Sequence, residues 1–238
     1  MNEQHAMREM PDDSTSTLLT LGTTHGPLHG YLSIAAAANG LVVIAHDTQR
    51  LDARDEHLAH LLRQQGLSTL TVDLITKQEE NYPDMHYHVT LLAKRLADFV
   101  GLLRHRMQME EMAPQPIGLF GSNTTTPVVV RVASLRDHDI AAVVCRNGLI
   151  DLAGVLYLKT LTSPLLALVE ENDRTLQSNN QRALQAVQCV AEIKTIAEVG
   201  PNFAISESFA LAASLTATWM REHFAEKTSS RRPKDRSS

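Results

Sequence analysis

The sequence predicts an α/β fold in which a mostly parallel sheet carries helices on both of its faces. Apolar, β-branched runs alternate with segments of helical spacing along most of the chain, which is the pattern of repeated strand–helix units. Most of these runs are apolar along their whole length, as expected for strands that are covered on both faces. In such sheets a ligand site lies beyond the carboxyl ends of the strands, so the turns that follow the strands are the segments to search for function.

The N-terminal part of the chain predicts a β-hairpin ahead of the parallel units. The segments "TLLTLG" and "LHGYLSIA" (Leu28 to Ala35) alternate between apolar and polar residues, and "TTHGP" between them is a turn sequence. The next predicted strand is the continuous run "GLVVIAH", from Gly40 to His46. The helix that follows it covers Ala53 to Gly66, where the glycine stops it.

The rest of the chain continues this alternation. After a strand from Ser68 to Leu74, the segment "HVTLLAKRLADFVGLLRHRM" predicts a long amphipathic helix. The strand "PIGLFG" leads into the helix "TPVVVRVASLRD", whose Thr126 and Pro127 are typical of a helix start. Three more strands are predicted in "DIAAVVCRNG", "SPLLALVE" and "QCVAEIKTI", with a helix around "LQSNNQRALQAV" between the last two. The closing helix is "SESFALAASLTATWMREHF", with Ser206 or Ser208 as its N-cap.

The composition argues against several classes of partner. The 238 residues include 22 Lys and Arg against 27 Asp and Glu, and the net charge of -5 offers no basic surface for nucleic acid. No apolar run reaches the roughly 18 residues of a membrane span, and the N-terminus has no signal-peptide pattern. Cys145 and Cys189 lie in apolar runs without disulfide or metal spacing, so we expect free thiols in a cytoplasmic protein. No motif indicates a cofactor.

We expect a single domain that extends from residue 17 to residue 225. Residues 1–16 are polar and acidic, residues 226–238 are basic and serine-rich, and both ends are predicted to be disordered. No internal repeat or linker divides the region between them. The sequence leaves the oligomeric state open.

The order of several segments resembles the dienelactone-hydrolase-like branch of the α/β-hydrolases. These segments are "LVVIAH", "GLSTLTVDLIT" followed by acidic residues, "LLAKRLADFVGLLR", "PIGLFGS" and "IAAVVCRNGLIDLAG", and the resemblance covers roughly Leu28 to Phe224. It implies a sharp strand-to-helix elbow with a nucleophile, an acid after a late strand, a histidine after the last strand and an oxyanion-hole loop. In related chains such a domain is sometimes fused to a phosphoribosyltransferase, whereas here we expect it to stand alone.

The resemblance leaves two of the three catalytic roles unfilled. The elbow pattern GxSxG falls on "GSNTT", which puts Asn123 in the position of the nucleophile. The acid falls on Asp173 and the histidine falls nearest Ala204. An amide cannot serve as the nucleophile of acyl transfer, and an alanine cannot accept a proton. The oxyanion-hole loop begins with His46, but Asp47 follows it where a glycine is expected.

The elbow itself is nevertheless expected to survive. Its apex requires a positive φ, and Asn tolerates that conformation better than most residues with a Cβ atom. Thr125 stands in place of the last glycine and is expected to push the helix slightly away from the strand. Ser122 is an alternative nucleophile, but one residue before the apex its side chain should point away from the base and the oxyanion donors.

Two other groups of polar residues are candidates for a role. His86 and His88 in "YPDMHYHV" could ligate a metal together with Asp84, although a polar loop that enters a helix explains them more simply. Without an imidazole beside it, Asp173 is expected to form a structural ion pair with Arg146 or Arg174.

The sequence thus predicts a degenerate hydrolase that acts as a non-catalytic binding or interaction protein, with a small ligand or a protein as partner. The expected pocket is lined by His46, Asp47, Ser122, Asn123, Thr124, Arg146 and Asp173. Two alternatives stay open: a hydrolase of small esters or lactones that uses Ser122 or a metal site, and a structural subunit that needs only its surface.

Overall fold

Eight strands form one sheet in the computed structural model, which describes residues 16–47, 53–196 and 207–230. Their order across the sheet is β1-β2-β4-β3-β5-β6-β7-β8. The strands are β1 (Ser16–Thr23), β2 (Gly26–Ser33), β3 (Leu41–His46), β4 (Ser68–Asp73), β5 (Ile117–Ser122), β6 (Ile140–Arg146), β7 (Leu165–Glu170) and β8 (Ala191–Ile196). The helices are α1 (Ala53–Gln64), α2 (Val89–Gln108), α3 (Thr126–Leu135), α4 (Val155–Thr160), α5 (Arg174–Leu184) and α6 (Glu207–Ser230).

The pairing of the strands matches the predicted class. Strands β3 to β8 run parallel to one another, whereas β1 pairs with β2, and β2 with β4, in antiparallel fashion. The N-terminal hairpin is therefore confirmed, and it extends the parallel sheet by two strands.

Two apolar layers cover the sheet and explain why its central strands are apolar throughout. In β3, Leu41, Val43 and Ala45 face one layer, which α2 and α3 complete. Val42 and Ile44 of the same strand face the opposite layer, which α1 and α6 complete. Because side chains alternate along a strand, a sheet covered on both faces needs apolar residues at every position.

The sequence pattern did not predict the short helices of the loops. Besides α4, these are the 3₁₀ turns Glu79–Asn81, Pro83–Tyr87, Asn123–Thr125 and Ile150–Ala153. Segments of three to six residues are too short to show a helical period, so hydrophobic spacing cannot reveal them.

Secondary structure extends slightly beyond the predicted domain bounds at both ends of the described chain. Ser16 already belongs to β1, and α6 continues to Ser230, into the segment that the sequence assigns to the tail. The ammonium group of Lys227 anchors this last part of α6, because it donates to the carbonyl oxygens of Asp137 at 2.8 Å and Ile140 at 2.9 Å. The predicted cap Ser208 lies inside α6, and the other predicted cap, Ser206, lies outside the described residues, as do residues 1–15 and 231–238.

Both cysteines are free thiols, as predicted. Burial raises the pKa of the Cys145 thiol in β6 well above its usual value and raises the pKa of Cys189 to about 11. Neither side chain is therefore a reactive thiolate at neutral pH. None of the helices in the described ranges is long and apolar enough to cross a membrane.

A buried ion pair fixes the segment that leaves β4. The guanidinium group of Arg95 in α2 binds both carboxylate oxygens of Glu79, at 2.6 and 2.8 Å, and also donates to the carbonyl oxygen of Leu74 at 2.7 Å. The backbone N–H of Thr76 donates to the same carboxylate at 2.9 Å. Burial raises the pKa of Glu79, but the hydrogen bonds from Arg95 and Thr76 outweigh it and lower the pKa to about 2.

We expect Glu79 to make the fold sensitive to acid. Its folded pKa of about 2 lies below the ordinary value of 4.5, so the ion pair stabilises the fold above that value, and this stability is lost as the pH falls toward 2. In urea titrations at a series of acidic pH values, the free energy of unfolding of Glu79→Gln should depend less on pH than that of the wild type. Asp98→Asn, which changes an exposed carboxylate of α2, should follow the wild type. Equal pH dependence of the wild type and Glu79→Gln would contradict this account.

Candidate functional site

The turn after β5 has the geometry of the predicted elbow. The strand ends at Ser122 with φ -123° and ψ 150°, one 3₁₀ turn follows, and α3 begins at Thr126 with Pro127 in its first turn. Asn123 at the apex has a φ of 47°, which is the positive value that the sequence predicts. Its side chain is exposed. The chain thus makes a sharp strand-to-helix turn that presents an amide at the apex.

Thr125 stabilises this turn from within. Its hydroxyl group accepts a hydrogen bond from the backbone N–H of Ser122 and donates one to the carbonyl oxygen of Ser122, both at 2.9 Å. Although position 125 is not glycine, α3 packs closely on β5, because Gly121 in the strand has no side chain. A Cβ atom on Gly121 would lie 2.8 Å from the carbonyl oxygen of Thr125 and 2.8 Å from a methyl group of Val129. The sequence-based expectation that Thr125 pushes the helix away from the strand did not include the two hydrogen bonds that its hydroxyl group makes with Ser122.

The loop after β6 lies directly against the elbow. A Cβ atom on Gly148 would be 2.4 Å from the carbonyl oxygen of Asn123 and 2.1 Å from the hydroxyl oxygen of Thr126, so only glycine fits there. Asn180 of α5, which is 1% exposed, holds this loop in place. Its amide nitrogen donates to the carbonyl oxygen of Gly148 at 2.9 Å, and its amide oxygen accepts from the N–H of Ile150 at 3.0 Å. Sequence reasoning missed both Gly148 and Asn180, although the glycine follows directly after a strand.

A carboxylate from the loop after β3 meets the elbow on another side. Oδ2 of Asp47 accepts a short hydrogen bond from the hydroxyl group of Thr124 and lies 3.2 Å from Nδ1 of His86. The side chains of Asp47 and His86 retain 21% and 28% of their exposure. We call Asp47, Thr124 and His86 the Asp47 cluster. It joins three segments that are far apart in the sequence: the end of β3, the elbow, and the 3₁₀ turn Pro83–Tyr87.

The other predicted members of the pocket lie on the face of the sheet that α1 and α6 cover. His46 is 4% exposed and pairs in register with Asp73 of β4, a carboxyl group whose pKa burial raises to about 6 against the opposing effect of the neighbouring His46. The guanidinium carbon of Arg146 lies 4.4 Å from the centre of the Phe209 ring in α6. Ser122 is in register with Arg146, so its side chain points to the same face. This position does not place Ser122 at the apex of the turn.

Asp173 has a different partner from the arginines that the sequence suggests. Its carboxylate is the N-cap of α5 and accepts a hydrogen bond from the backbone N–H of Leu176 at 2.9 Å. The expected ion pair with Arg146 or Arg174 is therefore replaced by a helix cap. Ala204 lies outside the described residues, so its approach to Asp173 and Asn123 stays a prediction.

The two histidines of "YPDMHYHV" serve separate purposes. His86 belongs to the Asp47 cluster, whereas Nδ1 of His88 caps α2 by accepting from the N–H of Leu91 at 3.4 Å. In the described part of the chain, no three His, Cys, Asp or Glu side chains are grouped so that they could hold a metal ion. His86, His88 and Asp84 thus do not form the metal site that the sequence offers as an alternative.

A cleft of about 700 Å³ is found away from the elbow, between the turn of the N-terminal hairpin and α2. Leu21, Leu28 and Leu91 line its apolar part, and Thr23, Lys94 and Asp98 lie among its polar residues. None of these residues belongs to the predicted site. The predicted pocket above Asn123 stays a prediction.

Comparisons with known proteins agree with the fold. No protein-family model matches the chain. The structure of a dienelactone hydrolase from Anabaena variabilis superimposes with a TM-score of 0.78 at 27% sequence identity, over 89% of this chain and 99% of that chain. Carboxyl esterase 2 from Tuber melanosporum superimposes with a TM-score of 0.71 at 14% identity, over 92% of this chain and 89% of that one.

The sequence relatives are longer proteins. In two strains of Mycobacterium tuberculosis, a protein described as a candidate phosphoribosyl transferase is 29% identical over 199 residues. The match covers 83% of this chain and 44% of the relative, so the chain spans less than half the length of these relatives.

We expect the elbow to depend on the hydroxyl group of Thr125. Thr125→Val keeps the shape of the side chain but leaves the partly buried N–H of Ser122 without its partner, which should lower the free energy of unfolding by about 1–3 kcal/mol. Thr125→Ser keeps the hydroxyl group and loses only a methyl group, so it should cost less. Urea denaturation of the two variants and the wild type measures both effects. A larger loss in Thr125→Ser than in Thr125→Val would show that packing and not hydrogen bonding fixes the turn.

Proposed function

Because the chain has a dienelactone-hydrolase-like α/β-hydrolase fold, we propose that it is a non-catalytic form of this fold that binds a ligand at the elbow. The observation that carries the proposal is an intact elbow with Asn123 at its apex, where φ is 47°. An acyl-transfer hydrolase needs a hydroxyl or thiol group at this point, together with a base that takes its proton. A turn that is kept without its nucleophile supports binding in place of hydrolysis.

The Asp47 cluster opposes a second requirement of ester hydrolysis. The tetrahedral intermediate carries a negative oxygen that must be bound by preorganised N–H groups, and in this fold one of them belongs to the residue after the nucleophile, here Thr124. The carboxylate of Asp47 is bonded to the side chain of that same residue. Two like charges about 4 Å apart repel each other by about 1 kcal/mol in water and about 4 kcal/mol at an effective dielectric constant of about 20. The carboxylate therefore makes the elbow a poor place for an oxyanion.

The same groups suit a ligand that donates hydrogen bonds. Asp47 is partly exposed and accepts only, while the exposed amide of Asn123 can both donate and accept. An anionic ligand would meet the charge of Asp47. We infer that the ligand is a small molecule or peptide that is neutral or cationic where it meets the elbow.

Ser122 is a weaker candidate for function. It lies on the strand, in register with Arg146, and its backbone is held by Thr125. No contact in the described part of the chain joins its side chain to a histidine that could serve as a base. We therefore do not assign it a nucleophilic role.

We expect the wild-type protein to leave esters intact. With p-nitrophenyl acetate or a dienelactone as the substrate, product should form no faster than in buffer, because the apex lacks a nucleophile. A rapid burst of p-nitrophenol that is abolished in Ser122→Ala would overturn the proposal in favour of the alternative nucleophile.

Binding should be detectable in the absence of turnover. If the elbow binds neutral ligands that donate hydrogen bonds, benzamide should shift the backbone amide NMR signals of residues 122–126 in a saturable manner, with the signals of β8 as an internal control. Saturable shifts confined to other parts of the chain would contradict a ligand site at the elbow.

The contribution of Asp47 can be measured by rebuilding the catalytic residues. Asn123→Ser combined with Ala204→His restores the nucleophile and the base that the resemblance implies, and the remaining charge of Asp47 should keep this double variant slow. Adding Asp47→Asn removes the charge and should raise ester hydrolysis at least about tenfold, given that a single oxyanion contact affects rates by about a hundredfold or more. Asp84→Asn removes an exposed carboxylate on the neighbouring 3₁₀ turn and serves as the matched control. Equal rates with Asp47→Asn and Asp84→Asn would contradict the electrostatic role of Asp47.

A further inference from the structure

Strand β8 forms an edge of the sheet, and several side chains in and next to it are exposed. Val190, just before the strand, is 59% exposed, and the side chains of Glu192 and Lys194 retain 47% and 42% of their exposure. Within the ranges that the structure describes, no strand pairs with this outer side. An edge strand presents unpaired N–H and C=O groups and can template pairing with another chain.

Alternate residues of β8 bond to β7. The carbonyl oxygen of Val190 accepts from the N–H of Leu165 at 2.9 Å, and that of Ile196 accepts from the N–H of Glu171 at 3.0 Å. Backbone groups of a strand point alternately to its two sides. The even-numbered residues therefore face β7, and the N–H and C=O groups of the odd-numbered ones point outward, at Ala191, Ile193 and Thr195.

The residues whose backbone groups point outward are spaced evenly on either side of Ile193. A second copy of β8 that runs antiparallel places Ile193 opposite Ile193, and Ala191 opposite Thr195, as hydrogen-bonded pairs. The positions between them are non-hydrogen-bonded pairs, in which the Cα atoms are only about 4.5 Å apart and the side chains are closest. Glu192 then lies opposite Lys194, twice, because of the two-fold symmetry.

The charges of the strand complement themselves in this arrangement. Within one chain, Glu192 and Lys194 lie on the same face of the strand, with the carboxylate oxygen and the ammonium nitrogen 3.4 Å apart. In the dimer, Glu192 of each copy lies opposite Lys194 of the other copy, so each charge gains an opposite charge on the neighbouring strand. The opposite edge of the sheet, β1, has the sequence "STLLTLGT" and carries no charged side chain. Charge complementarity thus favours β8 over β1 as the surface that a second copy recognises.

We propose that the chain forms a symmetric homodimer in which β8 pairs with β8 of a second copy, antiparallel and centred on Ile193. The two sheets become one continuous sheet with an isologous interface. Because the strands of the two copies run in opposite directions, the two elbows lie at opposite ends of the strands of the joined sheet. Both elbows therefore remain accessible to ligands. The proposal does not depend on the function assigned to the elbow.

Charge reversal tests the proposed pairing in the full 238-residue chain. Sedimentation velocity across micromolar concentrations should show the wild type at twice the 26.3 kDa mass of the chain. Glu192→Lys puts lysine opposite lysine, and Lys194→Glu puts glutamate opposite glutamate. Each single variant should raise the dissociation constant of the dimer at least about tenfold, because two attractive pairs become repulsive.

A double variant and a mixture of the single variants distinguish loss of the interface from loss of the fold. The double variant Glu192→Lys/Lys194→Glu restores opposite charges and should dimerise like the wild type. An equimolar mixture of the two single variants should also dimerise, since the strand with two lysines then faces the strand with two glutamates. Asp98→Lys and Lys94→Glu make the same charge changes on the exposed surface of α2 and should leave the dimer intact.

Three outcomes would overturn the proposal. The first is a wild-type chain that stays monomeric across these concentrations, as it would if another part of the chain covered β8. The second is a dimer that Glu192→Lys and Lys194→Glu leave unchanged, which would place the interface elsewhere. The third is a mixture of the single variants that remains monomeric.

Discussion

The elbow depends on a close contact between two loops, in which Gly148 lies against the carbonyl group of Asn123. A Cβ atom at position 148 would come within 2.4 Å of that oxygen, so the contact exists only because the residue is glycine. Asn180 holds the glycine from α5, and Thr125 closes the turn from within the 3₁₀ turn Asn123–Thr125. None of these interactions requires a reactive side chain at the apex. The turn can therefore form without a nucleophile at its apex, and an elbow is by itself no evidence of hydrolysis.

The segment between β4 and α2 connects the buried ion pair to the elbow. Arg95 of α2 fixes Glu79 at the start of the segment that contains His86, and His86 in turn contacts Asp47, which binds Thr124. The ion pair is almost fully buried, whereas Asp47 and His86 are partly exposed. The polar contacts of this segment are thus buried at the ion pair and accessible at the elbow, so the proposed binding site is supported from the protein interior.

The fold could be predicted from the sequence because it depends on local patterns. The continuous apolar run of β3 and the helical spacing of α2 each define an element and its burial without knowledge of any distant contact. The positive φ of Asn123 was predictable for the same reason, since it follows from the order of strand, turn and helix. Asp47 could not be interpreted in this way: its partners Thr124 and His86 are 77 and 39 residues away in the sequence. Asp173 was assigned an arginine partner because of its charge, but a carboxylate at a helix start has a nearer donor in the backbone.

The elbow and the β8 edge are separated in a way that keeps their proposed roles independent. The elbow lies at the end of β5 in the middle of the sheet, and β6 and β7 stand between it and β8. The loops at the ends of β6 and β7 are joined by Asn147, whose amide nitrogen donates to the carboxylate of Glu170 at 2.6 Å, while its amide oxygen accepts from the N–H of Glu170. Pairing at β8 uses the outward backbone groups and leaves these hydrogen bonds unchanged. Dimerisation would therefore extend the sheet without altering the elbow, and each copy would keep a complete site.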